Sequence, residues 1–168
     1  MAALEKEWKP YRAVLAGRPD LKGAQDVYDM SDTVLNATHR LTVACERTSA
    51  APSARVLLIS GRECMLSQRL AKYYLFMLGN INTPAARMEF RMTRGEFAQG
   101  LSQLAASPFT TPAIKPRLQQ ASAEWLEHER ALGPEGSGPK GNAPDVAVRS
   151  ERILELLEDI VAAYETGA

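Results

Sequence analysis

The feature that most limits what this chain can become is an apolar-rich run from Val56 to Leu78 in which Gly61 is the sole turn signal. A run of that length is too long for an ordinary strand, so it predicts a helix. At its centre lies Gly61-Arg62-Glu63-Cys64-Met65-Leu66-Ser67-Gln68-Arg69-Leu70-Ala71-Lys72-Tyr73-Tyr74. Arginine, serine and glutamine here occupy a segment otherwise suited to burial. Such groups need buried hydrogen-bond partners or a ligand.

The rest of the chain reads the same way. Met1 to Leu15 carries Leu4, Trp8, Tyr11 and Leu15 at helical spacing, with Pro10 set to kink the helix or delay its start. Gly17-Arg18-Pro19-Asp20 is a turn. From Asp26 to Glu46 a heptad seam runs through Val27, Ser31, Val34, Thr38, Leu41 and Cys45, and the cluster Thr48 to Ser53 breaks it. Gly79-Asn80 suits a helix C-cap, and Thr83-Pro84 an N-cap with proline in the first turn. The helix that follows has the stripe Phe90, Phe97, Leu101, Leu104. Thr111-Pro112 repeats the device and predicts a helix carrying Ile114, Leu118, Ala121, Trp125 and Leu132. Gly133 to Pro144 reads as a flexible loop. A last helix, Asp145 to Tyr164, has Val146, Ser150, Ile153, Leu157, Ile160 and Tyr164 on its seam. No strand pattern competes, so the expected fold is all-α.

The two heptad helices also match each other. Asp26-Val27, Ser31, Leu35, Ala44 and Glu46 recur at one offset as Asp145-Val146, Ser150, Leu154, Ala163 and Glu165, and Glu7-Trp8 recurs as Glu124-Trp125. Shared starts and a shared Glu-Trp pair argue for duplication beyond coincident heptads. The expected organisation is residues 1–48 as the C-terminal half of a first repeat (two helices) and residues 54–166 as a complete four-helix repeat. The chain would then begin mid-repeat, through a late start codon or as an excised or eroded half-unit. The expected architecture is an antiparallel four-helix bundle from Ala54 to Tyr164, preceded by the hairpin of the truncated repeat.

Composition excludes several function classes. Twenty basic residues balance twenty acidic ones, which leaves no field for nucleic acid and no polybasic membrane block. No segment approaches the roughly 18 consecutive apolar residues of a membrane helix, and the first residues do not read as a signal peptide. Cys45 and Cys64 lack CxxC spacing, and helical geometry argues against a disulfide between them. His39 and His128 have no second histidine at helical spacing, so no metal and no cofactor is expected. Hydrolase, phosphate-loop and dinucleotide motifs do not occur, and nothing argues for an enzyme.

The run from Gly61 to Tyr74 resembles the signature of the PilJ-type N-terminal domain of type IV pilus methyl-accepting chemotaxis transducers, a family related to nitrate/nitrite sensor kinases. The similarity continues through Phe97, Leu101 and Leu104, the Trp125 helix and the Ser150 helix, from Ala54 to Tyr164. It implies a periplasmic helical bundle that senses a ligand and passes a helix displacement to other modules, with a homodimer or membrane-receptor partner. In the nitrate/nitrite relatives an arginine of this motif binds the anion, and the matching position here is Cys64. The candidate ligand-binding set is Arg62, Cys64, Ser67, Gln68 and Arg69, facing a small molecule or small anion. Each residue also has a plainer reading. Ser67 and Gln68 could form an interhelix pair that fixes register, and Arg55, Arg62 and Arg69 could be a solvated stripe pairing with Glu63, Glu89 or Glu96. Cys64 reads as a small buried residue, Trp8 and Trp125 as core anchors. The alternative function is a structural module that dimerises or docks on a receptor without any ligand.

Overall fold

The computed structural model describes residues 2–18, 20–48, 53–81, 83–134 and 142–167. Every regular element among them is a helix: α1 (Ala2–Leu15), α2 (Leu21–Thr48), α3 (Ala54–Leu78), α4 (Pro84–Ala105), α5 (Lys115–Leu132) and α6 (Ala143–Thr166). They form two compact units, Met1–Ala51 and Pro52–Ala168. The first is the hairpin of α1 on α2; the second is a four-helix bundle.

Helix boundaries follow local chemistry. Thr83 caps α4 by accepting the Ala86 N–H at 3.0 Å, with Pro84 in the first turn. At the end of α3 it is Asn80, at φ 70°, and not Gly79 that turns left-handed. The Asn80 and Ile81 N–H groups return to the Met77 and Phe76 carbonyls, closing a Schellman motif. Four expectations are corrected. Helix α1 runs unbroken with Pro10 inside it, and α2 begins at Leu21, ahead of Asp26. Thr111-Pro112 does not open α5: Thr111 Oγ1 holds a turn by accepting the Ile114 N–H at 3.3 Å, and the helix starts at Lys115 with Pro116 in its first turn. Pro144 is helical, because α6 starts at Ala143. Pro19, the breaker cluster from 49 to 52 and loop residues 135–141 lie outside the described residues.

Cross-helix bonds fix the bundle's direction. Arg62 and Arg69 of α3 reach Glu96 and Glu89 of α4, Gln68 and Tyr74 of α3 meet Ser150 of α6 and Asn142 just before it, and Arg117 and Glu124 of α5 meet the Asp159 carbonyl and Arg149 of α6. Numbers rise on one helix as they fall on its neighbour, so each of these pairs is antiparallel. The core joins Leu66, Leu70 and Tyr74, Phe97 and Leu104, Leu118 and Trp125, and Ile153, Leu157 and Ile160. One buried polar clamp ties the α4–α5 connection to the far end of α6. Thr110 Oγ1 donates to the Leu104 carbonyl at 2.5 Å and pairs with the Tyr164 hydroxyl at 2.6 Å. Thr110→Val takes the partner from the Tyr164 hydroxyl and one of two bonds from the Leu104 carbonyl, which keeps the Ser107 N–H at 3.1 Å, and should cost about 1–3 kcal/mol in urea unfolding. The loss should shrink in a Tyr164→Phe background, since one of the two partners is then already gone.

Trp8 is the expectation that fails outright. It is 42% exposed, with only an edge contact to Tyr11 at 5.9 Å, whereas its repeat partner Trp125 is 5% exposed. Four helices can surround an indole; a two-helix hairpin cannot.

Candidate functional site

Counting by four and three along α3 gives Val56, Ser60, Glu63, Ser67, Leu70 and Tyr74, and all six are buried. This face of α3 thus places a carboxyl and two serine hydroxyls in the bundle's interior. The hydroxyls are satisfied within the helix, Ser60 Oγ donating to the Leu57 carbonyl and Ser67 Oγ to the Cys64 carbonyl at 2.8 Å. Glu63 is different. It is 1% exposed, and its Oε2 has no hydrogen-bond partner among the described residues. Burial, opposed by Arg62 on its own helix and helped by Glu96 of α4, pushes its carboxyl up to about 8. The space it occupies exists because α4 carries Gly100 there: a Cβ at that position would run into the Glu63 carboxyl. A neutral carboxyl packed over a glycine was missed from sequence, where Glu63 read as one more acid of a charged stripe.

The candidate ligand residues divide among three faces. Arg62 and Arg69 turn toward α4, where they pair with Glu96 at 3.0 Å and Glu89 at 2.9 Å. Those are the acids the stripe reading named, and Arg69 also donates to the Tyr73 hydroxyl at 3.0 Å. Ser67 points into the core and bonds locally, so it makes no interhelix pair. Cys64 and Gln68 turn toward α6. Cys64 is half-buried against the core, and burial together with Glu158 pushes its thiol up to about 11. A thiol so protonated is a poor nucleophile at neutral pH. Both cysteines are free.

Gln68 donates to the Ser150 carbonyl of α6 at 3.2 Å and lines an open groove of about 410 Å³ between α3 and α6. Ala71, Lys72 and Leu75 form its α3 wall, and Ala147, Val148, Ser150 and Glu151 its α6 wall. The groove has a small apolar floor, one amide, one ammonium and one carboxylate. Lys72 Nζ lies 4.4 Å from the Tyr73 ring centroid. Of the five candidates, only Gln68 reaches this groove.

A second buried ionisable group sits on α5. His128 is fully buried, its ring 6.0 Å from that of Trp125, and neither ring nitrogen has a partner among the described residues. Burial, with Arg149 and Arg94 nearby and Asp145 opposing them, pushes its imidazole down to about 4. Among the described residues no cluster of histidine, cysteine, aspartate and glutamate could hold a metal, and no helix is long and apolar enough to cross a membrane.

Comparison with the curated proteins and with the solved structures finds no match. The family described as Type IV pili methyl-accepting chemotaxis transducer N-term, PilJ, matches residues 48–160, which takes in α3, α4, α5 and most of α6. Two-thirds of the chain, including the polar seam of α3 and the groove beside Gln68, therefore falls inside the match, and the chain belongs to the PilJ family of sensory signalling domains.

Proposed function

We propose that the bundle is a non-catalytic sensor that takes a small, hydrogen-bonding ligand of zero net charge in the α3–α6 groove and reports it as a displacement of α6 against α3. The observation that carries this reading is Gln68. It is the one candidate of the signature motif that both lines an open groove and bonds across it to the next helix. A ligand that takes over the amide would release the Ser150 carbonyl and change how the two helices meet. Lys72 and Glu151 on opposite walls suit a zwitterion better than an anion. A nitrate-like anion would need an unpaired cation, and the motif's arginines already hold Glu96 and Glu89 while Cys64 stands at the relatives' arginine position. Charge-assisted hydrogen bonds are roughly twice as strong as neutral ones, so that substitution weighs against the relatives' ligand. As in other receptors of this kind, the bundle would face the periplasm, with the α1–α2 hairpin belonging to a preceding repeat.

Thermal-shift and calorimetric titration with nitrate, nitrite, free amino acids and small neutral amides tests this. A ligand at ten times its Kd stabilises by about 1.4 kcal/mol, or roughly 5 °C for a domain of this size. The expected result is such a shift with a zwitterion or amide and none with nitrate, lost in Gln68→Ala. No shift at millimolar ligand, or one that Gln68→Ala leaves intact, would overturn it.

A further inference from the structure

We infer that the bundle has an internal water site in its core at the level of His128, where ordered water bridges the Thr93 hydroxyl of α4 and the His128 ring of α5.

Helix register brings these two side chains together. The Phe97 and Trp125 rings meet at 4.5 Å, and Arg94 reaches Glu129 and the Gly133 carbonyl, so α4 and α5 run antiparallel. Thr93 lies four residues before Phe97, about 6 Å along α4, and His128 three residues after Trp125, about 4.5 Å along α5. In an antiparallel pair those two steps run the same way. All four side chains are buried, so Thr93 and His128 share a level of the core, one turn from the aromatic pair. Two serines flank that level. The ion pairs Arg62–Glu96 and Arg69–Glu89 set Thr93 opposite the stretch of α3 that holds Ser67, and Gln68 ties that stretch to Ser150 of α6.

The bonding at this level departs from the rest of the bundle. Ser60, Ser67, Ser122 and Ser150 each return their hydroxyl to a carbonyl of their own helix. Thr93 does not: its buried hydroxyl has no partner among the described residues, and neither ring nitrogen of His128 has one. Buried polar atoms are almost always bonded to protein or to ordered water, because leaving one unsatisfied costs its desolvation in full.

Chemistry selects water as the occupant. A neutral imidazole offers one donor and one acceptor, and a threonine hydroxyl one donor and two lone pairs. Ser67 and Ser150, having donated, keep lone pairs as well. Water has two donors and two lone pairs to match, and a buried water typically makes about three such bonds. A cation would meet Arg149 and Arg94, with Asp145 alone opposing them. Those arginines are themselves held by Glu124, Asp145 and Glu129, which leaves no claim on an anion. Serine, threonine and serine also stand here where the adjoining core carries Leu66, Phe97, Trp125 and Ile153, and small side chains leave the space a water needs. The bridge ties α4 to α5 within the core, and it does not depend on the ligand reading.

The test joins NMR with urea unfolding on the full chain. In the wild type, the His128 Hε1 proton, which lies between the two ring nitrogens, should show a nuclear Overhauser contact to long-lived water. Magnetic relaxation dispersion of the water oxygen should count at least one more long-lived water in the wild type than in Thr93→Val. Thr93→Ser, which retains the hydroxyl, should keep that water. Stability supplies a sign. A bridged hydroxyl makes Thr93→Val lower the urea midpoint, whereas an unsatisfied hydroxyl in a dry core makes the same substitution raise it. Absence of the Hε1–water contact would overturn the proposal, as would equal dispersion in wild type and Thr93→Val, or a midpoint that rises. The Hε1 contact is read in the wild type, so it decides the matter even where Thr93→Val fails to fold.

Discussion

Between pH 6.5 and pH 8 the protein should lose about 2 kcal/mol of stability, and Glu63→Gln should abolish that loss. Burial holds the Glu63 carboxyl protonated in the folded bundle up to about pH 8, while the unfolded chain releases that proton near 4.5. From 4.5 to 8 the unfolded state therefore binds fewer protons than the native state, and stability falls as pH rises. His128 works the other way over part of the range. Its folded value of about 4 lies below the ordinary imidazole value of 6.5, so between those limits the unfolded chain binds the extra proton and stability rises with pH. The two slopes cancel from 4.5 to 6.5 and leave Glu63 alone from 6.5 to 8. Urea unfolding across pH 4.5–8.5 should show a plateau followed by a decline. Glu63→Gln should keep rising to 6.5 and then level off, ending up to about 5 kcal/mol above the wild type at pH 8. His128→Leu should turn the plateau into a continuous fall. Parallel profiles for wild type and Glu63→Gln would show that the carboxyl is charged in the folded bundle.

This pair of groups also shows where sequence reading succeeds and where it stops. The helices, the C-cap at Asn80 and the Thr83 cap follow from patterns within one or two turns of chain, and the pairing of Arg62 and Arg69 with Glu96 and Glu89 follows from matching charged stripes on two helices. Glu63 was legible in principle. It falls on the same four-three count as Ser60, Ser67 and Leu70, but reading by residue type put it with the charged stripe. That a neutral carboxyl could be housed there depends on Gly100, thirty-seven residues away, and no local pattern carries that fact. Thr111-Pro112 misled for a related reason. The motif is a sound helix start, yet here Thr110 is drawn toward Tyr164 across the bundle, and the chain makes an extra turn before α5 begins. Trp8 misled because burial of an indole depends on how many helices surround it, which the repeat's sequence does not state. The candidate ligand residues were read from one stretch of α3, and it took the neighbouring helices to separate Gln68, facing α6, from the arginines facing α4.

Phe97→Ala should be among the most damaging single truncations in the chain, at about 3–5 kcal/mol in equilibrium unfolding. The stripe on α4 treats Phe90 and Phe97 alike, but their surroundings separate them. Phe97 is fully buried and its ring centroid lies 4.5 Å from that of Trp125, at an interplanar angle of 39°. Phe90 is only partly buried, at the margin of the core, and Phe90→Ala should cost markedly less. The Phe97–Trp125 contact matters beyond its area because α4 and α5 form the thinnest of the bundle's four interfaces. Arg94, which reaches Glu129 at 3.1 Å and the Gly133 carbonyl at 2.9 Å, is the main polar tie across it. Removing either ring should loosen the same interface, so the losses should not add. A cycle of Phe97→Ala, Trp125→Ala and the double variant should give a coupling of about 0.5–1.5 kcal/mol, as for an aromatic pair in contact. Phe90→Ala combined with Trp125→Ala should be additive within about 0.5 kcal/mol. A coupling near zero for Phe97 and Trp125 would mean that α4 and α5 are held together by Arg94 and the ends of the helices, with the two rings packing independently against α3 and α6.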